Sequence, residues 1–439
     1  MPSLSKLAAR QVATIRAVDY SRMALALGLG TAGGAVLNWL NMPLAWMIGA
    51  MLTTSVAAIA GVRLNVPKGL RGFMVMVLGI MLGSAFSPDI VGHLGRWTVT
   101  LAGLVPYIAI CTAVGMVFLR CVAKWDSVTA YFTATPGGFN EMVMMGSQLG
   151  GDEKAIALSH SARIMLVIFT IPVWFRFLDG YDAAARGGLG PALTAIAPLD
   201  YLMLALCIVG APIAGALRIP ADALVGPMVL SAIFHLAGLT DGSPPALAIA
   251  AAQVVVGAFI GCRFAGTTIR GVAVIGATAI GLTLCLLSIT VAFALLMHAL
   301  TGIAITELVL AYAPGGLAEM SLVAIALGAD AAFVSTHHIA RIVLIVVFAP
   351  GLFLMLRRRR RASSRPSPPW RLESCPLSRI CVRLWPGAFA GGRKKGTSDR
   401  GSGHVAVAVQ HFRRRRSGAG DSHRLHGRQI RSSGQGMDR

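Results

Sequence analysis

Apolar positions in this chain run in long blocks. They lack the two-residue alternation of a half-buried strand and the polar stripe of a soluble amphipathic helix. Blocks lie near residues 22–40, 43–61, 69–87 and 97–119, then near 155–178, 199–217, 221–240, 245–265, 272–300 and 332–356. A helix needs about 20 apolar residues to cross the hydrocarbon layer, so the pattern predicts about ten spanning helices. Glycines recur within them, including Gly28, Gly30, Gly33, Gly34, Gly257 and Gly261. Small residues allow the close helix contacts that association in lipid depends on.

The pattern repeats. Pro136-Gly137-Gly138-Phe139-Asn140-Glu141-Met142 matches Pro314-Gly315-Gly316-Leu317-Ala318-Glu319-Met320 at an offset of 178 residues. The same offset places Asp152 on Asp330, His160 on His338 and Arg163 on Arg341. It also aligns Pro67 with Pro245, Gly79 with Gly257, Gly83 with Gly261 and Phe86 with Phe264. One residue of slippage brings Pro43, Gly49 and Met51 onto Pro220, Gly226 and Met228. Matches kept in order over this length indicate a duplication. The predicted organisation is a cytoplasmic lead-in over 1–19, a first membrane repeat over 20–178, a linker over 179–198, a second repeat over 199–356 and a basic tail over 357–439. Counting basic loop residues against the positive-inside rule, five spans per half misplace Arg96, Arg176 and Arg186, whereas six misplace Arg96, Arg218, Arg263 and Arg270. The balance tips to the inverted arrangement. The expected fold is an all-α integral membrane protein of two homologous repeats, each with about five spanning helices and one broken or re-entrant helix.

The break is where chemistry is expected. Proline removes a backbone donor and two glycines loosen the chain, so Pro136-Gly137-Gly138 and Pro314-Gly315-Gly316 each interrupt a helix. Paired interruptions at matching positions of two halves point to a transport site. Glu141 and Glu319 fall in the first turn after the break, where the helix dipole favours a carboxylate. His160 and Arg163 share a helix face three residues apart, as do His338 and Arg341. Two readings stand side by side. In one, the arginines bind a small anionic or zwitterionic solute, while Glu141, Glu319, His160 and His338 carry coupling protons. In the other, Arg163 pairs with Glu141 and Arg341 with Glu319 to lock the fold. The candidate substrate or coupling set is Pro136, Gly137, Gly138, Asn140, Glu141, His160, Arg163, Pro314, Gly315, Gly316, Glu319, His338 and Arg341. Asp152 and Asp330 are expected as helix N-caps, and Arg263 either marks a pore or, as the leading reading, snorkels to an interface.

The duplicated Pro-Gly-Gly-x-x-Glu-Met element followed by a His-x-x-Arg helix resembles the AbrB-type duplicated membrane proteins of bacteria, over about residues 20–356. Members of that family carry labels of ammonia monooxygenase or of regulator of gene expression, and their many spans suggest transport. The resemblance therefore implies a multi-pass protein of the bacterial inner membrane, here with a cytoplasmic N-terminus. A copper or iron monooxygenase needs several imidazole or carboxylate ligands in one cluster. His93, His160, His235, His298, His337 and His338 offer no i,i+4 pair, although His160 and His338 could meet between the repeats. A membrane transporter is thus the leading expectation, with a membrane-embedded metal oxidoreductase and a membrane sensor affecting gene expression as alternatives. No cofactor is implied, and the phosphate-binding glycine loop of ATP-driven machines is not found. The expected partners are the bilayer, a small solute, coupling protons or cations and a second copy of the chain, with no specific nucleic acid.

Composition agrees with the pattern: 55% of residues are hydrophobic and 13% charged, against about 25% charged in soluble domains. The formal charge of +21 is misleading until localised. Residues 357–439 hold 21 Lys and Arg against 4 Asp and Glu, whereas residues 1–356 hold 18 against 14. Such an Arg/Gly/Ser/Pro-rich tail cannot bury enough apolar surface to fold. It reads as a disordered extension, or as a shifted frame of a GC-rich gene, and no function is expected of it. Cys111, Cys121, Cys207, Cys262 and Cys285 lie in apolar blocks without a CxxC spacing, so packed thiols are expected, not metal ligands.

Overall fold

The computed structural model describes residues 19–88, 94–178, 190–266 and 269–363. Most of the 179–198 linker, nearly all of the lead-in and the tail beyond residue 363 lie outside the described residues. The described chain is helical, with no strand among the described residues. The first half contains α1 (Tyr20–Trp39), α2 (Ala45–Ile59), α3 (Lys68–Gly83), α4 (Leu94–Cys121), α5 (Ser127–Ala134), α6 (Phe139–Gln148) and α7 (Glu153–Leu178). The second contains α8 (Pro198–Cys207), α9 (Gly210–Ala216), α10 (Asp222–Leu236), α11 (Ala246–Gly261), α12 (Ile269–Thr301), α13 (Ile305–Tyr312), α14 (Leu317–Leu327) and α15 (Ala331–Ser363). Shifted by 178 residues, α11 covers α3 end to end and α13 covers α5. The pair α8 and α9 together takes the place of α1.

Local signals explain the shared boundaries. Pro67 and Pro245 sit at the N-caps of α3 and α11 in extended conformation. The Asp152 carboxylate accepts from the Ala155 N–H at 3.0 Å, and that of Asp330 from the Phe333 N–H at 2.9 Å, so both cap the helices they precede. Leu44 and Ala221 begin α2 and α10 in the left-handed region at φ 54° and 55°. Neither is glycine, so each start costs about 1–2 kcal/mol, and the cost falls at matching positions in both halves.

Six segments are long and apolar enough to cross a membrane: Gly95–Cys121, Glu153–Phe175, Pro198–Ala216, Ala246–Phe264, Ala273–Thr301 and Ala331–Met355. Of the other blocks read as spans, α2 and α10 stop after 15 residues. At 1.5 Å per residue they reach about 22 Å, short of the roughly 30 Å hydrocarbon layer. The left-handed starts and the turns at Gly61 and Gly238, both at positive φ, delimit them. Outward faces carry Val105, Leu202, Leu284 and Phe348, all exposed, as expected of surfaces that meet lipid. The protein is therefore a multi-pass membrane protein.

The halves lock together through small residues. Helix α2 packs on α11, and α3 on α10. A Cβ on Gly257 would strike the Met47 carbonyl, and one on Gly79 the Leu224 carbonyl. Within each half the backbones of Gly33 and Gly49 touch, as do those of Gly210 and Gly226. The same contact is thus made twice with the halves exchanged.

Candidate functional site

Each Pro-Gly-Gly segment separates two short helices, α5 from α6 and α13 from α14. At 8–11 residues none of these pieces spans a bilayer alone. The motif can be decoded atom by atom. Gly138 and Gly316 are the N-caps of α6 and α14, with φ of −60° and −83°, conformations open to any residue. Glycine there leaves space for an acid side chain. The Glu141 carboxylate folds back onto Gly138, and that of Glu319 onto Gly316, so that a Cβ on either glycine would collide with the acid three residues on. The preceding glycines make room for the methionines. A Cβ on Gly137 would come within 3.0 Å of Met142, and one on Gly315 within 2.7 Å of Met320. The glutamates occupy the N3 position of α6 and α14, at the positive end of the helix dipole.

The His-x-x-Arg helices α7 and α15 hold the opposite ends of the breaks. The Arg341 guanidinium donates to the carbonyls of Ala313 at 2.5 Å and Gly315 at 2.9 Å, the orphan acceptors left where α13 ends. Arg163 makes one long bond of 3.4 Å to the Thr133 carbonyl. Each arginine also donates to the Nδ1 of the histidine three residues before it, at 2.7 Å in both halves. Arginine has no acceptor, so Nδ1 must be the unprotonated nitrogen. Nε2–H of His160 then donates to the Phe132 carbonyl at 2.9 Å, and that of His338 to Leu310 at 3.0 Å. Both rings are committed through both nitrogens. Arg163 and Arg341 are 3% and 2% exposed, and their Nε atoms have no protein partner.

No Arg163–Glu141 or Arg341–Glu319 ion pair forms. Among the described residues the salt bridge is the exposed Arg22–Asp19 contact. The glutamates are drawn to their own helix N-termini and the arginines to the carbonyls on the other side of the break, so helix-end partners take the place of the expected pairs.

Both breaks open onto one cavity of about 200 Å³. Of the candidate residues, Gly137, Gly138, Asn140, Glu141, Arg163, Gly315, Gly316, Glu319 and Arg341 line it. Pro136 and Pro314 are not among the lining residues, and His160 and His338 stand behind the arginines they orient. Sequence reasoning missed Arg71, Phe259 and Asp222, which also line the cavity, and favoured an interface over a pore for Arg263, which lines the cavity too. Instead Arg263 stacks on Phe139 at 3.4 Å and lies 4.9 Å from the centre of the Phe259 ring. Arg71 lies 4.8 Å from that same ring. The ring faces and the opening between the breaks draw Arg263 inward. Among the described residues no three His, Cys, Asp or Glu side chains come together to hold a metal.

Comparison with known proteins agrees with this architecture. The family described as "Transition state regulatory protein AbrB" matches residues 46–357, ending where the basic tail begins. The chain is 28% identical over 353 residues to "Uncharacterized protein YhjN" of Bacillus subtilis (strain 168), covering 75% of this chain and 92% of that protein. It is 23% identical over 316 residues to "Putative regulator AbrB" of Escherichia coli (strain K12), covering 71% of this chain and 90% of the relative.

Proposed function

Because the chain belongs to the AbrB family of membrane proteins, we propose that it is a secondary transporter of the inner membrane that moves a small anionic solute through the cavity between its two helix breaks. One observation carries this reading: two buried guanidinium groups, Arg163 and Arg341, face the cavity with no carboxylate paired to either. Removing a charge from water is costly unless it is compensated, and backbone carbonyls supply only part of that compensation. An anion entering from water completes it. In this reading Glu141 and Glu319 hold the second half-helices and exchange protons with the cavity. His160 and His338 orient the arginines, because their ring nitrogens are already engaged. An inverted relation of the halves would present the two breaks to opposite sides of the membrane in turn.

The test is flux into proteoliposomes of the purified protein, using small organic anions with methylammonium as the cationic control. The expected result is saturable anion uptake that falls at least about tenfold in Glu141→Gln and in Arg163→Gln, while both variants insert and unfold at near-wild-type temperature. Wild-type flux in both folded variants would refute the site. The name of the Escherichia coli relative favours a second reading, a membrane sensor. It predicts anion binding without flux.

A further inference from the structure

The repeat is closest in the frame of the cavity and departs on one wall. Arg71 stands where the second half has Ile249, and Arg263 where the first has Ala85. Phe259 is matched by Met81, Phe139 by Leu317 and Asn140 by Ala318. The unmatched residues Arg71, Phe139, Asn140, Phe259 and Arg263 line the same cavity. The duplicated residues hold the helix breaks open, and the unduplicated ones gather beside them.

The hydrogen-bond accounting separates the four arginines. Arg341 is committed to the carbonyls of Ala313 and Gly315 and to His338. Arg71 and Arg263 contact aromatic rings and lie within electrostatic range of the Glu319 carboxylate, but among the described residues no hydrogen bond or ion pair engages either guanidinium. Both lie within 5 Å of the single Phe259 ring. Stacking on a ring leaves the in-plane donors of a guanidinium available, and those donors match a carboxylate bidentately. Arg163 lies between these cases, with one 3.4 Å backbone bond and an unpartnered Nε. Four guanidinium groups outnumber the lining acids Glu141, Glu319 and Asp222. The cavity volume of about 200 Å³ is far above the roughly 10–15 Å³ that one water needs, so it has room for a small solute.

Resting on the anion-site reading above, we infer that the solute is a short dicarboxylate, one end held by Arg71 and Arg263 against Phe259 and the other reaching Arg163. The unduplicated arginines are the recognition residues, and the duplicated Arg341 is a framework residue.

The experiment uses the full chain in lipid nanodiscs. Malonate, with seven non-hydrogen atoms and two carboxylates, is the probe; acetate and inorganic phosphate are comparisons. Binding is measured by calorimetry and by the shift in unfolding temperature. Malonate is expected to bind about tenfold or more tighter than acetate or phosphate. Arg71→Gln and Arg263→Gln are each expected to lose about tenfold or more in malonate affinity, as removal of a charge-assisted fork predicts. Arg263→Lys keeps the charge without the fork and is expected to lose most of that affinity as well. In the ligand-free state these variants should unfold close to wild type, because each loses ring stacking and leaves no backbone carbonyl unpaired. A ligand-free unfolding temperature lowered as far as that of Arg341→Gln, alongside lost binding, would indicate a structural role and overturn the inference. Acetate or phosphate binding as tightly as malonate would overturn the dicarboxylate assignment. Wild-type malonate affinity in both glutamine variants, with loss in Arg163→Gln, would overturn the inference and leave the anion site standing. No anion binding to the wild-type protein would overturn both.

Discussion

At the residue scale, the two halves use the same side chains with unequal commitment. Arg341 satisfies two orphan carbonyls at good distance, whereas Arg163 reaches one at 3.4 Å. Arg341→Gln should therefore destabilise the protein more than Arg163→Gln. Each carbonyl left unpaired in the interior costs about 1–3 kcal/mol, so Arg341→Gln is expected to show the larger fall in unfolding temperature in detergent. Equal effects would mean that the two arginines do the same work. This inequality was not legible in the sequence, which gives both halves an identical His-x-x-Arg spacing. Sequence did show that charged groups lie in apolar helices at matching positions, and it placed Glu141 and Glu319 in the first turn after each break. It could not show that each glutamate would fold back onto the second glycine, because that depends on the three-dimensional turn. Arg71 and Phe259 escaped notice because neither belongs to a motif. Subtracting one half from the other at the 178-residue offset would have exposed both.

At the element scale, the helices are recognisable and the way they end is less so. The breaks, the N-cap aspartates and most of the apolar blocks could be read directly. The early stops of α2 and α10 could not, since their apolar blocks continue through the left-handed turns that end them. Helix crossings depend on glycines that admit a carbonyl from the opposite half. In lipid, packing contributes what apolar burial cannot, so a bulky residue at such a point is costly. Gly257→Leu is expected to abolish the folded monomer in detergent, because its Cβ meets the Met47 carbonyl. Gly276→Leu, on a helix surface with nothing within 4 Å, should leave folding unchanged. Size-exclusion chromatography with thermal unfolding reads both outcomes, and equal tolerance at the two sites would contradict the packing argument.

At the scale of the whole molecule, duplication supplies a near-symmetric frame and divergence supplies a one-sided wall. Two helix breaks bring four orphan helix ends into one place. Glutamates lie at the two N-termini, and arginines bond to the carbonyls on the other side of each break. What remains is a cavity lined by more guanidinium than carboxylate groups. Such a charge excess is a poor way to stabilise a membrane fold, and in the proposed function its role is to hold an anion. The most direct measurement is anomalous scattering from crystals of the protein grown with bromomalonate. The account predicts a bromine peak in the cavity between Gly138 and Gly316, within reach of Arg71 and Arg263. A bromine peak only at the protein surface, beside an unoccupied cavity, would contradict it.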